Sequence, residues 1–275
     1  KGTGGDFRSA QRSGRALVWA AARQGGLGLM QFPVYLGLGA WKVHPHFVFE
    51  SLGYAIAFRL LLWGLRTDTI PVAQRSWVIV GGLVGALLGA KGLVLVQHLD
   101  LLWSQWPQWL LLVAQGKTVV GALLGGLVGV ELTKARIGLT QSTGDAFVYP
   151  LLAGTAIGRI GCFLTGLSDR TYGIATTLPW GVDFGDGILR HPTQLYEILF
   201  LALVAVLIRW RSQSSHRSGD LFQIYLAAYL GFRFGVDFLK PDLRPLLGMS
   251  AIQLACLAGL LYSLRQLARP LFLPR

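Results

Sequence analysis

Seven apolar stretches, each of roughly 15 to 23 residues, constrain this 275-residue chain more than any other feature. They cover 47–65, 77–99, 118–132, 146–167, 192–210, 221–239 and 250–264. A helix needs about 20 residues to cross the bilayer hydrocarbon at ~1.5 Å per residue. Composition points the same way, with 53% hydrophobic residues, 14% charged and a mean hydropathy of +0.51, outside the usual soluble range. The expected fold is an all-α integral membrane protein, a bundle of about seven transmembrane helices with an outward-facing loop site. The third and seventh stretches are the shortest. No polar connection is long enough to mark a domain boundary, so one membrane domain over 47–275 follows a basic, interfacial segment at 1–46.

Lys and Arg in short loops favour the cytoplasmic side. Arg66, Arg75, Lys134, Arg136, Arg209, Arg211, Arg217, Arg265, Arg269 and Arg275 fall on one side, against Arg170, Arg190, Lys240 and Arg244 on the other. This places the N-terminus outside, the C-terminus in the cytoplasm and the His191 loop on the outer face. The basic run at 1–23 opposes that orientation, and lies on the surface or precedes an extra span within 27–41. It does not read as a secretory signal, because Arg23 and Gln24 interrupt the apolar core. The net charge of +12 fits attraction to the inner leaflet, and no nucleic-acid partner is expected without a soluble basic domain. Cys162 and Cys256 fall in different spans, which argues against a disulfide or a metal knuckle.

Glycines recur every fourth residue at 81, 85 and 89, at 121, 125 and 129, and at 154 and 158. Such faces let helix backbones approach closely. Charges inside the stretches discriminate more, since each costs about 2.5–3.5 kcal/mol at a helix centre. They are Glu50, Arg59, Lys91, Arg159, Glu197, Arg233 and Asp237. Arg233 and Asp237 share a helix face and can pair. Arg159 has no carboxylate three or four residues away, so its partner comes from another helix or from a ligand. A guanidinium forks two hydrogen bonds to a phosphate, as a phospholipid headgroup offers. Arg59 and Lys91 have the plainer reading of snorkelling to water.

The run RHPTQLYE at 190–197 puts Pro192 at a first helical position, with His191, Gln194 and Glu197 spaced by three as one polar stripe. The loop at 168–190 is rich in turn residues, with Trp180 as an interfacial anchor. Its string DFGDG at 183–187 lacks the companion motifs of a kinase and the spacing of a calcium loop, so no metal is expected there. Cys162 is an inert small hydrophobe unless Arg159 activates its thiol.

GRIGCFLTG at 158–166, TYG at 171–173, RHPTQLYE and FRFGVDFLKPD at 232–242 together resemble the signature segments of bacterial prolipoprotein diacylglyceryl transferases. The resemblance runs from about Phe47 to the end. It implies a seven-span inner-membrane enzyme that moves the diacylglyceryl group of phosphatidylglycerol onto a lipobox cysteine thiol, forming a thioether and releasing glycerol phosphate. Its partners are then phosphatidylglycerol, a prolipoprotein signal peptide and the lipid bilayer, and no cofactor is needed. Arg159, His191, Glu197, Arg233 and Asp237 are the implied catalytic set, Asp237 standing where the family has Glu. Lys91, Cys162, Tyr172, Gly173, Arg190, Gln194 and Tyr196 are the implied substrate contacts.

Departures from the family pattern concern the proton acceptor. The third-span segment GKTVVGALLGG at 116–126 offers Gly121 where the family commonly has His. Cys162 replaces a family Asn, Lys91 replaces an Arg, and GLSDRTYG at 166–173 lacks the Glu of the family's GELWG. The base is then His191, or Asp169 with Tyr172. The alternatives are a divergent transferase for another lipid or acceptor, and a non-enzymatic lipid-binding protein.

Overall fold

A computed structural model of the chain describes residues 31–38, 41–67, 69–98, 114, 116–241 and 248–269. Most of the segment at 1–46 lies outside the described residues. Seven helices of 17 to 26 residues occupy the seven apolar stretches: α1 (Pro45–Gly64), α2 (Val72–Gln97), α3 (Val119–Ile137), α4 (Val148–Thr165), α5 (Thr193–Arg211), α6 (Asp220–Val236) and α7 (Ala251–Leu267). Among the described residues, four reach the length and apolar content of a membrane crossing: α1, α2, α5 and the unit Gly144–Asp169 around α4. Ahead of α1 a short hairpin pairs β1 (Leu36–Leu38) with β2 (Trp41–Val43). That part of the 27–41 stretch is therefore extended backbone and not an additional helix.

The core lies among α3, α4, α5, α6 and α7, with α6 at its centre, where Tyr225, Leu226, Tyr229 and Leu230 are completely buried. Both cysteines are free and buried. Large apolar side chains stand exposed on α1 (Phe47, Phe58, Trp63), on α2 (Leu83, Leu87, Leu88) and on α5 (Leu199, Leu203, Val206). An apolar exterior of this extent needs lipid or a partner against it. α2 and α3 meet along the glycine faces noted above. A Cβ on Gly85 would lie 2.3 Å from the Gly125 carbonyl oxygen, and one on Gly121 would lie 2.3 Å from that of Gly89. The helices pack backbone to backbone there, so no side chain fits.

Helix ends gather the polar residues at one end of the bundle. α4 and α6 finish there, while α1, α3, α5 and α7 start there. Gly166, at φ +70°, terminates α4 in a conformation that L side chains rarely adopt, and a Cβ on it would strike Phe32. Ser250 caps α7 by accepting from the Gln253 amide at 3.1 Å. Between α4 and α5, β3 (Val182–Asp183) and β4 (Leu189–Arg190) form a small hairpin.

Candidate functional site

Three helix ends bring Arg159, Glu197 and Arg233 together. Glu197 sits in the second turn of α5 and is 2% exposed. Its Oε2 lies 2.9 Å from Arg159 Nε of α4 and accepts from Arg233 Nη1 of α6 at 3.3 Å. Its Oε1 accepts from the Tyr229 hydroxyl at 2.6 Å. One carboxylate thus holds two buried guanidinium groups, which is what makes either charge tolerable away from water. Both guanidinia keep further N–H groups, and these forks match the oxygens of a phosphate ester.

The ion pair expected between Arg233 and Asp237 is present at 4.0 Å, looser than the 3.3 Å contact of Arg233 with Glu197. Asp237 starts the 3-10 turn after α6, is fully buried and accepts from the Ser250 hydroxyl. The partner that Arg159 lacked in its own helix is Glu197. Tyr229 and Ser250 belong to this cluster and carry no signal in the sequence beyond an aromatic and a hydroxyl in apolar surroundings.

The loop above the cluster is organised by its own hydrogen bonds. α5 begins at Thr193 with Pro192 as its N-cap, one position later than expected, so His191 precedes the helix. His191 Nδ1 lies 3.1 Å from the Tyr196 hydroxyl, which accepts from the Trp180 indole at 2.8 Å. The expected stripe therefore divides: Gln194 and Glu197 turn inward, whereas His191 joins Tyr196 and Trp180. Gln194 Nε2 donates to the Thr171 hydroxyl at 3.1 Å. Gly173 fits beneath His191, where a Cβ would meet the His191 Cβ at 2.6 Å, and its amide donates to the His191 carbonyl at 2.9 Å. Arg190 donates to Asp186 at 2.6 Å and stands 5.0 Å over the Tyr172 ring. This hydrogen bond holds the Asp186 carboxyl below its ordinary range.

Asp183 of the DFGDG string closes the loop tip, its Oδ1 accepting from the amides of Gly185, Asp186 and Gly187 at 2.8, 3.1 and 3.0 Å. Asp183→Ala is expected to free all three, so that hydrogen exchange at 185–187 accelerates while α5 stays protected. Lys91 lies in the last two turns of α2. Its ammonium donates to the carbonyls of Ala114 and Gly116 at 2.8 and 2.9 Å, tying the end of α2 to the entry of α3.

A second polar group lies beside the first. Cys162 accepts from Arg159 Nη1 at 3.8 Å. Its sulfur, a ring nitrogen of His46 and a carboxylate oxygen of Asp169 all lie within 4.8 Å of one another. Glu50 pairs with His46 at 3.3 Å and with Lys117, and accepts from Tyr54 at 2.9 Å. His46 escapes sequence reasoning because it falls before the first apolar stretch; its spacing of four from Glu50 is the signal that could have found it.

Comparison with known proteins reports the same likeness over most of the chain. The family described as prolipoprotein diacylglyceryl transferase matches residues 33–268. A Clostridium tetani protein named phosphatidylglycerol–prolipoprotein diacylglyceryl transferase is 33% identical over 219 residues, covering 77% of this chain and 86% of the relative. Proteins of the same name from Geobacter sulfurreducens (32% over 269 residues, 89% and 94% covered) and Methylobacillus flagellatus (31% over 229 residues, 76% and 84% covered) are similar to it as well.

Proposed function

Because the chain belongs to the prolipoprotein diacylglyceryl transferase family, we propose that it moves the diacylglyceryl group of phosphatidylglycerol onto the cysteine thiol of a prolipoprotein lipobox. The chain is then a multi-pass bacterial inner-membrane protein whose seven helices all span, with the Arg159 end outward, the N-terminus outside and the C-terminus in the cytoplasm. The observation that carries this reading is the convergence of two buried arginines on Glu197 at the loop-covered end of the bundle.

In this reading Arg159 and Arg233 turn their free N–H groups to the lipid phosphate. Glu197 and Asp237 hold the two guanidinia in place for it. The acceptor sulfur attacks the glycerol carbon, the carbon–oxygen bond to phosphate breaks, and the charge growing on the departing phosphate is met by donors already in position. Tyr172, Gly173, Arg190, Gln194 and Tyr196 shape the covering loop, through which the peptide reaches the carbon. His191 faces that loop, while Cys162 lies against Arg159. Lys91 acts at a distance by fixing the entry of α3.

Detergent-solubilised protein given phosphatidylglycerol and a lipobox peptide is expected to release glycerol phosphate. Arg159→Ala is expected to lower that release by roughly a hundredfold or more, the usual effect of losing a charge-stabilising donor. An inactive parent protein, under conditions where another family member works, sinks the assignment. A divergent transferase with a different lipid or acceptor is the second reading, favoured by Gly121. A histidine cannot enter that position, because a Cβ there meets the Gly89 carbonyl oxygen. Labelled lipid appearing on a molecule other than the lipobox peptide selects this reading.

A further inference from the structure

Thr171 ties the covering loop to the start of α5. Its carbonyl accepts from the Thr193 hydroxyl at 2.5 Å. Its own hydroxyl stands between two polar side chains, 2.7 Å from Asp169 Oδ2 and 3.1 Å from Gln194 Nε2. The direction of these hydrogen bonds follows from the groups themselves. Asp169 is a carboxylate paired with His46 at 3.0 Å, so it only accepts, and the single hydroxyl proton of Thr171 goes to it. Thr171 Oγ1 then receives a proton from Gln194. A flipped amide would set two acceptors against each other, so Nε2 is the atom that faces Thr171.

The other end of that amide is thereby fixed as an acceptor. Gln194 is 1% exposed, and among the described residues its buried Oε1 has no donor. Buried acceptors are nearly always paired, and leaving one unpaired is costly. Gln194 stands three residues before Glu197 on the same face of α5, and Glu197 holds Arg159 and Arg233. The oxygen is thus about one helical turn from the arginine pair, on the side of the covering loop.

We propose that Gln194 Oε1 accepts a hydrogen bond from a headgroup hydroxyl of the donor lipid, and so selects lipids whose headgroup carries one. This rests on the transferase reading and names the substrate feature that the site reads. A lipid held at the arginines by its phosphate sends its acyl chains into the bilayer, so its headgroup extends the other way, to the start of α5. Phosphatidylglycerol places hydroxyls a carbon or two beyond the phosphoester oxygen. A headgroup without them leaves the oxygen unpaired, and sites built around a substrate hydroxyl reject analogues that lack it.

The full chain in detergent micelles is given a lipobox peptide and either phosphatidylglycerol or phosphatidylpropanol, donors identical but for the headgroup hydroxyls. Both yield the same diacylglyceryl peptide, whose formation mass spectrometry follows. The parent is expected to use phosphatidylglycerol roughly tenfold or more better in kcat/KM, the scale of one buried acceptor left unpaired. Gln194→Met keeps the length of the side chain and removes the oxygen, and is expected to bring the two donors within about twofold. A merely structural role lowers both donors alike and leaves their ratio standing. Thermal unfolding in the same micelles shows whether Gln194→Met has folded; where it has not, Gln194→Asn, which draws the amide back by one methylene, carries the same expectation. Equal use of the donors by the parent, or a preference that survives the substitution, overturns the proposal. So does an unchanged ratio with a raised KM for the peptide, which assigns the oxygen to a peptide N–H. Retention of the two lipids from equimolar mixed micelles reads the same preference without turnover. A parent that retains phosphatidylglycerol selectively but transfers nothing from it overturns the transferase reading and leaves the subsite standing.

Discussion

Glu197→Ala is expected to destabilise the folded chain by about 3–5 kcal/mol, the cost of removing one member of a buried ion pair. The carboxylate serves Arg159, Arg233 and Tyr229 at once. Its loss leaves two guanidinia facing each other in a site that water does not reach, together with an orphaned hydroxyl. Glu197→Gln retains an acceptor but no charge, and should fall between the two. Unfolding in mixed micelles of increasing dodecyl sulfate content measures the difference. Converting the set to apolar residues, with Arg159→Met, Glu197→Leu and Arg233→Met together, is expected to recover most of the lost stability and none of the glycerol phosphate release. A Glu197→Ala protein as stable as its parent would refute the description of this cluster as a charge-compensated core.

The second large effect lies between α2 and α3. Gly125→Leu places a Cβ where the Gly85 carbonyl oxygen is 2.3 Å away and the Gly89 Cα 2.7 Å away. Overpacking costs about 1–3 kcal/mol when side chains can shift. Here both neighbours are backbone, so the helices must separate, and a loss of about 3 kcal/mol or more is expected. Gly92 provides the control on the facing helix α2, because nothing lies within 4 Å of its Cβ direction. Gly92→Ala should be neutral or stabilising by up to about 1 kcal/mol, the helix preference of Ala over Gly. Equal effects from the two substitutions would show that these glycines do not set the helix spacing.

The seven helices were legible because each is a nearly uninterrupted apolar run, a signal that survives without knowing any neighbour. The glycine faces of α2 and α3 were legible for the same reason, their four-residue period being local. Arg159, Glu197 and Arg233 each stood out as charges in apolar surroundings. Pairing was legible only within one helix: Arg233 meets Asp237 four residues on, at 4.0 Å, whereas its closer contact, and that of Arg159, is with Glu197 of another helix. His46 and Asp169 illustrate the limit most clearly. Neither is unusual where it stands, and only the packing of α1 on α4 brings them together.

Glu197 has a consequence for how a phosphodiester is received. Arg159 and Arg233 carry two positive charges against two negative ones on Glu197 and Asp237, so this set is neutral before any lipid arrives. In the proposed function an incoming phosphate gains its arginine contacts by exchange, as those contacts loosen from Glu197. In the proposed reaction ground-state affinity is thereby kept low, and the guanidinia are most fully engaged when the departing phosphate acquires its second negative charge. On that proposal, the same carboxylate that lets two arginines exist inside the bundle also reserves most of their attraction for the transition state.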